Sequence, residues 1–442
     1  MSSKNKTATK REEAKPALVP KLRFPEFQNA GDWTAEVLRA VATIRTEKVG
    51  NNICVPMSIT SGVGLVSQED KFGRVIAGDS YKNYLLLKPN EFAYNKSATK
   101  EYPEGFLTLY SGTELAAVPN SIFTCFRING DSPDVRFLNY QFSDNLHGRW
   151  LRKFIQVGAR ANGSLSINDN DLMALPVPIP TGTTSVAEQQ KIAECLSSVN
   201  ELIAAQAAKV DALKTHKKGL MQQLFPRKGE AQPGLRFPEF QNAGEWEDRH
   251  LGDYFDPIRN GFVGTATPYY TTSDGIRYLQ GRNIKQGRIE AENIIFITSE
   301  FHNRQRKSHL KIGDILMVQS GHVGECAVVG PDFAGANCHA LVILTPKRKL
   351  SSEFFAHYFY SPIGKLAIFK ITTGNTIKHI LASELKTLPV LVPSLAEQQR
   401  IASCLSNLDA WISVEAQKLE AFKTHKKGLM QQLFPSPEEV DA

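Results

Sequence analysis

No stretch of this 442-residue chain holds about 18 consecutive apolar residues, the length a helix needs to cross a bilayer, so no membrane span is expected. Cysteine is sparse. The six residues (Cys54, Cys125, Cys195, Cys326, Cys338 and Cys404) are scattered and form no C-x-x-C pair. That scatter excludes a zinc-ribbon or disulfide framework and predicts buried free thiols in a reducing, cytoplasmic setting. His322, Cys326, Cys338 and His339 fit no common zinc spacing, so no metal site is expected. Catalytic signatures are missing too. There is no G-x-x-x-x-G-K-[ST] phosphate loop. Nor is there an Asp/Asn-Pro-Pro-Tyr/Phe segment of the kind an adenine methyltransferase uses to hold a flipped base. The glycines at Ser61-Gly-Val-Gly64 lack dinucleotide-loop spacing and read as a turn. The opening MSSKNKTATKREEAKP has no apolar run, which excludes a secretory signal and suggests a disordered basic tail. The net charge of +7 leans toward a polyanionic partner without requiring one.

What the chain does have is duplication. AEQQKIAECLSSVNELIAAQAAKVDALKTHKKGLMQQLFP runs from Ala187 to Pro226 and returns as AEQQRIASCLSNLDAWISVEAQKLEAFKTHKKGLMQQLFP from Ala396 to Pro435, every position 209 residues later. LRFPEFQNAGDW, Leu22 to Trp33, returns as LRFPEFQNAGEW, Leu235 to Trp246. The order is motif, variable segment, long helix, twice over. It predicts a tail (1–21), a first variable domain (22–186), a helix (187–226), a linker (227–234), a second domain (235–395), a second helix (396–435) and a short tail (436–442).

Each long repeat carries apolar residues at alternating steps of four and three. In the first they include Ile192, Leu196, Val199, Ile203 and Val210; in the second Ile401, Leu405, Leu408, Ile412 and Leu419. This is a coiled-coil seam, closed by Pro226 and Pro435, which cannot donate the next backbone hydrogen bond. Two layers of the seam are polar: Gln206 and Lys217 in one copy, Glu415 and Lys426 in the other. A parallel pair sets Lys217 against Lys426, which is repulsive. An antiparallel pair slipped by one heptad sets Lys217 against Glu415 and Gln206 against Lys426, and that register is the expectation. At 1.5 Å per residue each helix is ~60 Å long, more than one turn of DNA.

The variable segments share few identities but one grammar. Lys88 to Ser97 and Lys311 to Ser320 both read as a turn followed by a strand ending in polar residues. Further strands are expected at Tyr84–Leu87, Asn293–Ile297 and Ala340–Leu344. Both segments leave through a proline-rich apolar exit, LPVPIP (Leu175–Pro180) and LPVLVP (Leu388–Pro393). Each is read as a mixed α/β (α+β) domain of ordinary size.

The AEQQ-x-IA opening, the KKGLMQQLFP ending, the LRFPEF lead-in and the two unlike domains between them resemble the DNA specificity subunit of type I restriction-modification enzymes. The resemblance covers about Leu22 to Pro435. It implies two target recognition domains joined by two long antiparallel helices, a pseudo-two-fold internal duplication. It implies that each domain reads half of a split target on double-stranded DNA while the helices set the gap. The implied partners are two methyltransferase subunits, which add adenine-N6 methyl groups from S-adenosylmethionine, and restriction subunits that use ATP and Mg. No cofactor is implied for this chain and no catalysis of its own.

Sequence readers are then expected in the variable domains, since the repeated Thr215–Lys218 and Thr424–Lys427 cannot encode two different sequences. Those repeats suit DNA contact, a solvated helix face or a partner's docking site. Side chains that reach base edges or phosphates best are Arg, Lys, Asn, Gln, Ser and Thr. In the second domain the candidates are Arg282, Asn283 and Lys285; the basic cluster Arg304, Arg306 and Lys307; Gln319, Ser320 and His322 beside Gly321 and Gly324; and Thr376, Lys378 and His379. In the first they are Lys96, Ser97 and Lys100, with Arg160, Asn162 and Ser164 near the exit. Tyr110 is assigned to core packing; Tyr102 suits stacking or packing. The alternative is a protein-interaction scaffold on a coiled coil that reads no DNA. Salt-dependent binding to duplex DNA separates the two, since phosphate contacts make affinity fall steeply with salt.

Overall fold

A computed structural model describes residues 18–60, 63–155, 165–347, 349–374 and 378–435. The chain divides into two compact units, Met1–Ala205 with Leu419–Ala442, and Gln206–Lys418. Among the described residues no helix is long and apolar enough to cross a membrane.

The first unit contains β1 (Trp33–Val37), β2 (Ala42–Arg45), β3 (Phe92–Asn95), β4 (Phe106–Leu109), β5 (Phe123–Ile128), α1 (Val135–Ser143) and β6 (Pro176–Pro180). The start of α2 (Ser185–Leu224) closes the series. One antiparallel sheet has the order β2-β5-β3-β4. Gly64–Ser67, Val55–Thr60, Ala116–Val118 and Leu85–Leu87 form a second sheet, with a parallel pair at its centre. Separately, β1 pairs with β6, Trp33 opposite Pro180, so the entry and exit of the variable segment are stitched together. Pro176, Pro178 and Pro180 are tolerated there because a two-stranded ribbon leaves one edge without ladder bonds.

The second unit repeats the plan with β7 (Glu247–His250), β8 (Phe255–Asn260), β9 (Ile284–Lys285), β10 (Arg288–Ile289), β11 (Ile315–Val318), β12 (Cys326–Val328) and β13 (Leu341–Pro346). It continues through α3 (Ser352–Tyr360), α4 (Pro362–Lys370), β14 (Pro389–Val392) and α5 (Leu395–Leu433). Its main sheet runs β8-β13-β11-β12, the same order of equivalent strands, and β7 pairs with β14 as β1 does with β6.

The central strands are buried on both faces, which is why they read as continuous apolar runs. Phe92 and Tyr94 of β3 face the core beneath α1, while Ala93 faces the second sheet. Ile315 and Met317 of β11 face the helical core; Leu316 and Val318 face the other side. This is the period of two that a pleated strand imposes. The shared grammar of Lys88–Ser97 and Lys311–Ser320 has a physical basis. Asn90 and Gly313 both sit at positive φ, 65° and 85°. The buried Glu91 and Asp314 that follow accept from the Lys88 and Lys311 amides at 2.9 Å. Arg45 and Arg259 face those carboxylates at 3.4 and 3.7 Å.

The repeated motifs form an anchor at the start of each long helix. Arg23 donates to both oxygens of Glu188 at 2.7 Å, and Trp33 Nε1 donates to the same carboxylate at 3.3 Å. Arg236 and Trp246 do the same to Glu397, at 2.9 and 2.6 Å and at 3.4 Å. Glu188 and Glu397 lie in the first helical turn, where the positive end of the helix dipole favours a carboxylate.

The helices run antiparallel within each unit. In the first, Ile192 and Leu196 near the start of α2 share a core with Met430, Leu433 and Phe434 at the end of α5. In the second, Met221, Leu224 and Phe225 pack with Ile401 and Leu405. The direction agrees with the polar-layer reading, but the register does not. Gln206 Nε2 donates to Glu415 Oε2 at 2.7 Å, and Lys217 Nζ donates to both Asp409 oxygens at 2.6 Å. There is no one-heptad slip. Seam positions alone do not set the register, because a lysine stem is long enough to leave the seam and reach a flanking carboxylate. Lys426, the counterpart of Lys217, lies over the Tyr140 ring at 5.8 Å.

Candidate nucleic-acid interface

In the second unit β11 hands the chain to a polar loop, Gln319 to Glu325, shaped by Gly321 at φ 80° and Gly324 at φ 91°. These are left-handed conformations that glycine adopts without strain. The segment before the domain exit folds onto this loop. Ile380 N donates to Gln319 O at 3.1 Å, and Ser320 Oγ lies 2.5 Å from His379 Nδ1. His379 in turn exchanges backbone hydrogen bonds with Thr373 at 2.8 and 2.9 Å. Lys378 holds its ammonium 5.7 Å above the ring of the exposed Phe369. His322 and Lys378 border a cavity of about 330 Å³ with Phe369. Gln319, Ser320, His322, Lys378 and His379 are thus gathered on one pair of loops; Thr376 lies outside the described residues.

The turn carrying Arg282, Asn283 and Lys285 lies beside them. A side-chain carbon at Gly281 would come within 3.4 Å of Val318, and Gln286 N donates to Glu325 at 2.8 Å. Arg282 and Lys285 are exposed, the first donating to Asn293 O at 3.2 Å and the second paired with Glu290 at 2.6 Å. Asn283 requires a correction. It is only 2% exposed, its Oδ1 accepts from Gln280 N, and its amide nitrogen lies 3.4 Å from the carbonyls of Glu290 and Glu292. Its hydrogen-bonding groups are spent inside the turn, so it holds the loop rather than contacting a base.

Arg304, Arg306 and Lys307 form a separate basic group. Arg304 lies 5.0 Å above the Tyr269 ring and 3.5 Å from Glu300, while Arg306 and Lys307 are exposed. No hydrogen bond among the described residues joins this group to the Gln319 and His379 loops. Beneath it His302 stacks on His309 at 3.7 Å, and burial together with His309 lowers the His302 pKa.

The first unit shows the same frame with other side chains. After β3, Leu165 N donates to Lys96 O at 2.7 Å, the counterpart of the Ile380 to Gln319 bond. Lys96 Nζ reaches Asp169 at 3.1 Å, Ser97 N donates to Asn95 Oδ1 at 2.7 Å, and Lys100 is exposed. Arg160, Asn162 and Ser164 lie outside the described residues. Tyr110 is in the core, its hydroxyl donating to Glu114 O at 3.0 Å; Tyr102 packs edge-on against Phe106 at 4.5 Å. Among the described residues no three His, Cys, Asp or Glu side chains converge as a metal site.

Sequence reasoning passed over three features here. Phe369 is 66% exposed beside a candidate lysine, and Tyr269 supports Arg304. Arg288, next to the Arg282 turn, reaches α5. An exposed Phe near lysines was available as a signal; the partners of Tyr269 and Arg288 are distant in sequence and were not.

Two unlike domains, each presenting polar and cationic loops from the same sheet frame and each tied to a long repeated helix, define a duplicated recognition scaffold. Residues 243–424 match the family model described as the Type I restriction modification DNA specificity domain. It is similar to the protein named as the MjaX specificity subunit of a type I restriction enzyme in Methanocaldococcus jannaschii, 27% identical over 300 residues covering 65% of each chain. The MjaVIII specificity subunit of the same organism is 23% identical over 64% of this chain and 66% of its own. The match thus spans just under two thirds of the length of these curated relatives. The crystal structure of a type I restriction-modification system S subunit from M. genitalium shares the fold. Its TM-score is 0.56 at 14% identity, with 95% of this chain and 100% of that one covered.

Proposed function

We propose that this chain is the DNA-reading subunit of a type I restriction-modification complex and catalyses nothing itself. Each variable domain reads one half of a bipartite duplex target. The paired helices set the gap and dock two methyltransferase subunits, directing adenine-N6 methylation and, with restriction subunits, cleavage. S-adenosylmethionine, ATP and Mg belong to those partners, and the assembly works in the cytoplasm on double-stranded DNA.

One observation carries this reading. The backbone frame after the central strand is the same in both units, with Leu165 bonded to Lys96 and Ile380 to Gln319, while the side chains it presents differ. A fixed frame with exchangeable donors and acceptors is what reading two different base sequences requires. The test replaces residues 247–392, the span from Glu247 to Val392, with the corresponding segment of another such chain, then maps methyladenine genome-wide. One half of the methylated motif should change and the other stay. A change in both halves, or none, counts against the reading.

A further inference from the structure

We infer that Arg288 is a positioning residue that locks the second reader's hairpin to the long helix, making recognition stringent for the length of the unread gap. The inference rests on the bipartite DNA reading above. β9 and β10 form a hairpin, Ile284 opposite Ile289 and Lys285 opposite Arg288. Its tip, Gln286 at φ 49° and Gly287 at φ 83°, has the two positive φ values of a tight two-residue turn. The hairpin carries Lys285 and follows Arg282 directly. With two residues per strand it does not support itself, so its direction is set by what it is tied to.

Three ties hold it. Gln286 N donates to Glu325 Oε2 at 2.8 Å, and Gly287 N donates to the Tyr360 hydroxyl at 2.9 Å. Tyr360 in turn donates to Glu325 Oε2 at 2.8 Å. These two fix the tip to its own domain. The third runs to α5: Arg288 Nη1 donates to Ser413 Oγ and Nη2 to Asp409 O, both at 2.8 Å. A helical carbonyl points toward the residue four places on, so Asp409 O and Ser413 Oγ lie side by side, and the planar guanidinium meets each with a separate N–H in a fixed fork that the shorter, single-centred lysine ammonium lacks. The anchor is itself braced, since the Asp409 carboxylate holds Lys217 of α2. Within this unit the third tie fixes the hairpin's direction against α5, the helix that the bipartite reading makes the spacer. The first helix has Asn200 and Ala204 where the second has Asp409 and Ser413, so it offers neither that carboxylate nor that hydroxyl.

The test uses the complete methyltransferase complex with wild-type chain, Arg288→Ala, Arg288→Lys or Ser413→Ala. Each acts on a duplex pool whose half-sites are separated by the natural gap or by one base pair more or less. One base pair changes separation by ~3.4 Å and helical phase by ~34°. Arg288→Ala should cut discrimination between gaps about tenfold while both half-site sequences, the salt dependence and the melting temperature hold. Arg288→Lys should not restore it, and Ser413→Ala should be intermediate. A gap profile unchanged in Arg288→Ala overturns the inference. So does equal loss at every gap with a shallower salt dependence, which makes Arg288 a phosphate contact. A wild-type complex with no split target overturns the DNA reading as well, and does so before any substitution is made.

Discussion

Gln206 donates to Glu415 at 2.7 Å, and the two are the same position in the two copies of the helix. A duplicated rod has therefore met its own copy at matching residues, and one of the pair has become charged. Glu415 is 3% exposed and also holds Lys209, Lys418 and the Trp411 indole, at 3.1, 3.1 and 3.2 Å.

The Gln206 hydrogen bond, then Lys209, hold the Glu415 carboxyl at about 2 against an ordinary 4.5. A lowered acid stabilises the fold above its unfolded pKa and loses that contribution as pH falls from about 4.5 toward 2. Denaturant midpoints should drop through that window. Glu415→Gln should remove about one proton of linkage from the slope; an unaltered slope would show that Glu415 titrates normally.

His357 behaves in the opposite chemical sense. Burial, with Lys217 nearby, lowers its pKa from 6.5 to about 4, and its Nε2 lies 3.0 Å from Ser406 Oγ. The unfolded chain binds the extra proton between those values, so stability is full above 6.5 and declines as pH falls toward 4. The decline attributable to His357 is about 3 kcal/mol. His357→Tyr, which copies the residue of the first unit (Tyr140), should flatten urea-derived stability across that range.

Arg236 and Glu397 are nearly sealed, 7% and 1% exposed at their side chains. Arg236→Ala strands a buried carboxylate and should cost about 3–5 kcal/mol. Arg236→Met with Glu397→Leu should cost much less than the single change. Equal losses in single and double variants, measured by chemical denaturation, would remove the pair from this role.

On DNA, Arg306→Ala and Lys307→Ala should weaken binding evenly across sequences, each lowering the salt slope by about one. Gln319→Ala should instead relax preference at one base pair, by roughly 1–3 kcal/mol. Competition binding with single-base variants of the mapped motif, at two salt concentrations, distinguishes these outcomes.

The parts of the fold legible in the sequence were those that repeat or have a strong period. The helices, the prolines that end them and the turn-strand pair at Lys88–Ser97 and Lys311–Ser320 follow from local chemistry. Helix direction was legible because Lys217 and Lys426 repel in the parallel arrangement. Register was not, because Asp409 lies off the seam and only three-dimensional reach selects it. At the candidate site, the chain reversal after each central strand was legible from its turn residues. Asn283 was misread because a side chain that closes its own turn looks, in one dimension, like one that points outward.

Phe225 directly follows the first helix and packs 6.3 Å from Trp246, and Phe434 directly follows the second and packs 6.5 Å from Trp33. The identical KKGLMQQLFP endings therefore act as plugs, and the LRFPEF lead-ins help build the sockets. A truncated chain stopping at Pro226 retains one plug and one empty socket. Two such fragments have the pieces to seal each other, so half of the chain carries both parts of the closure.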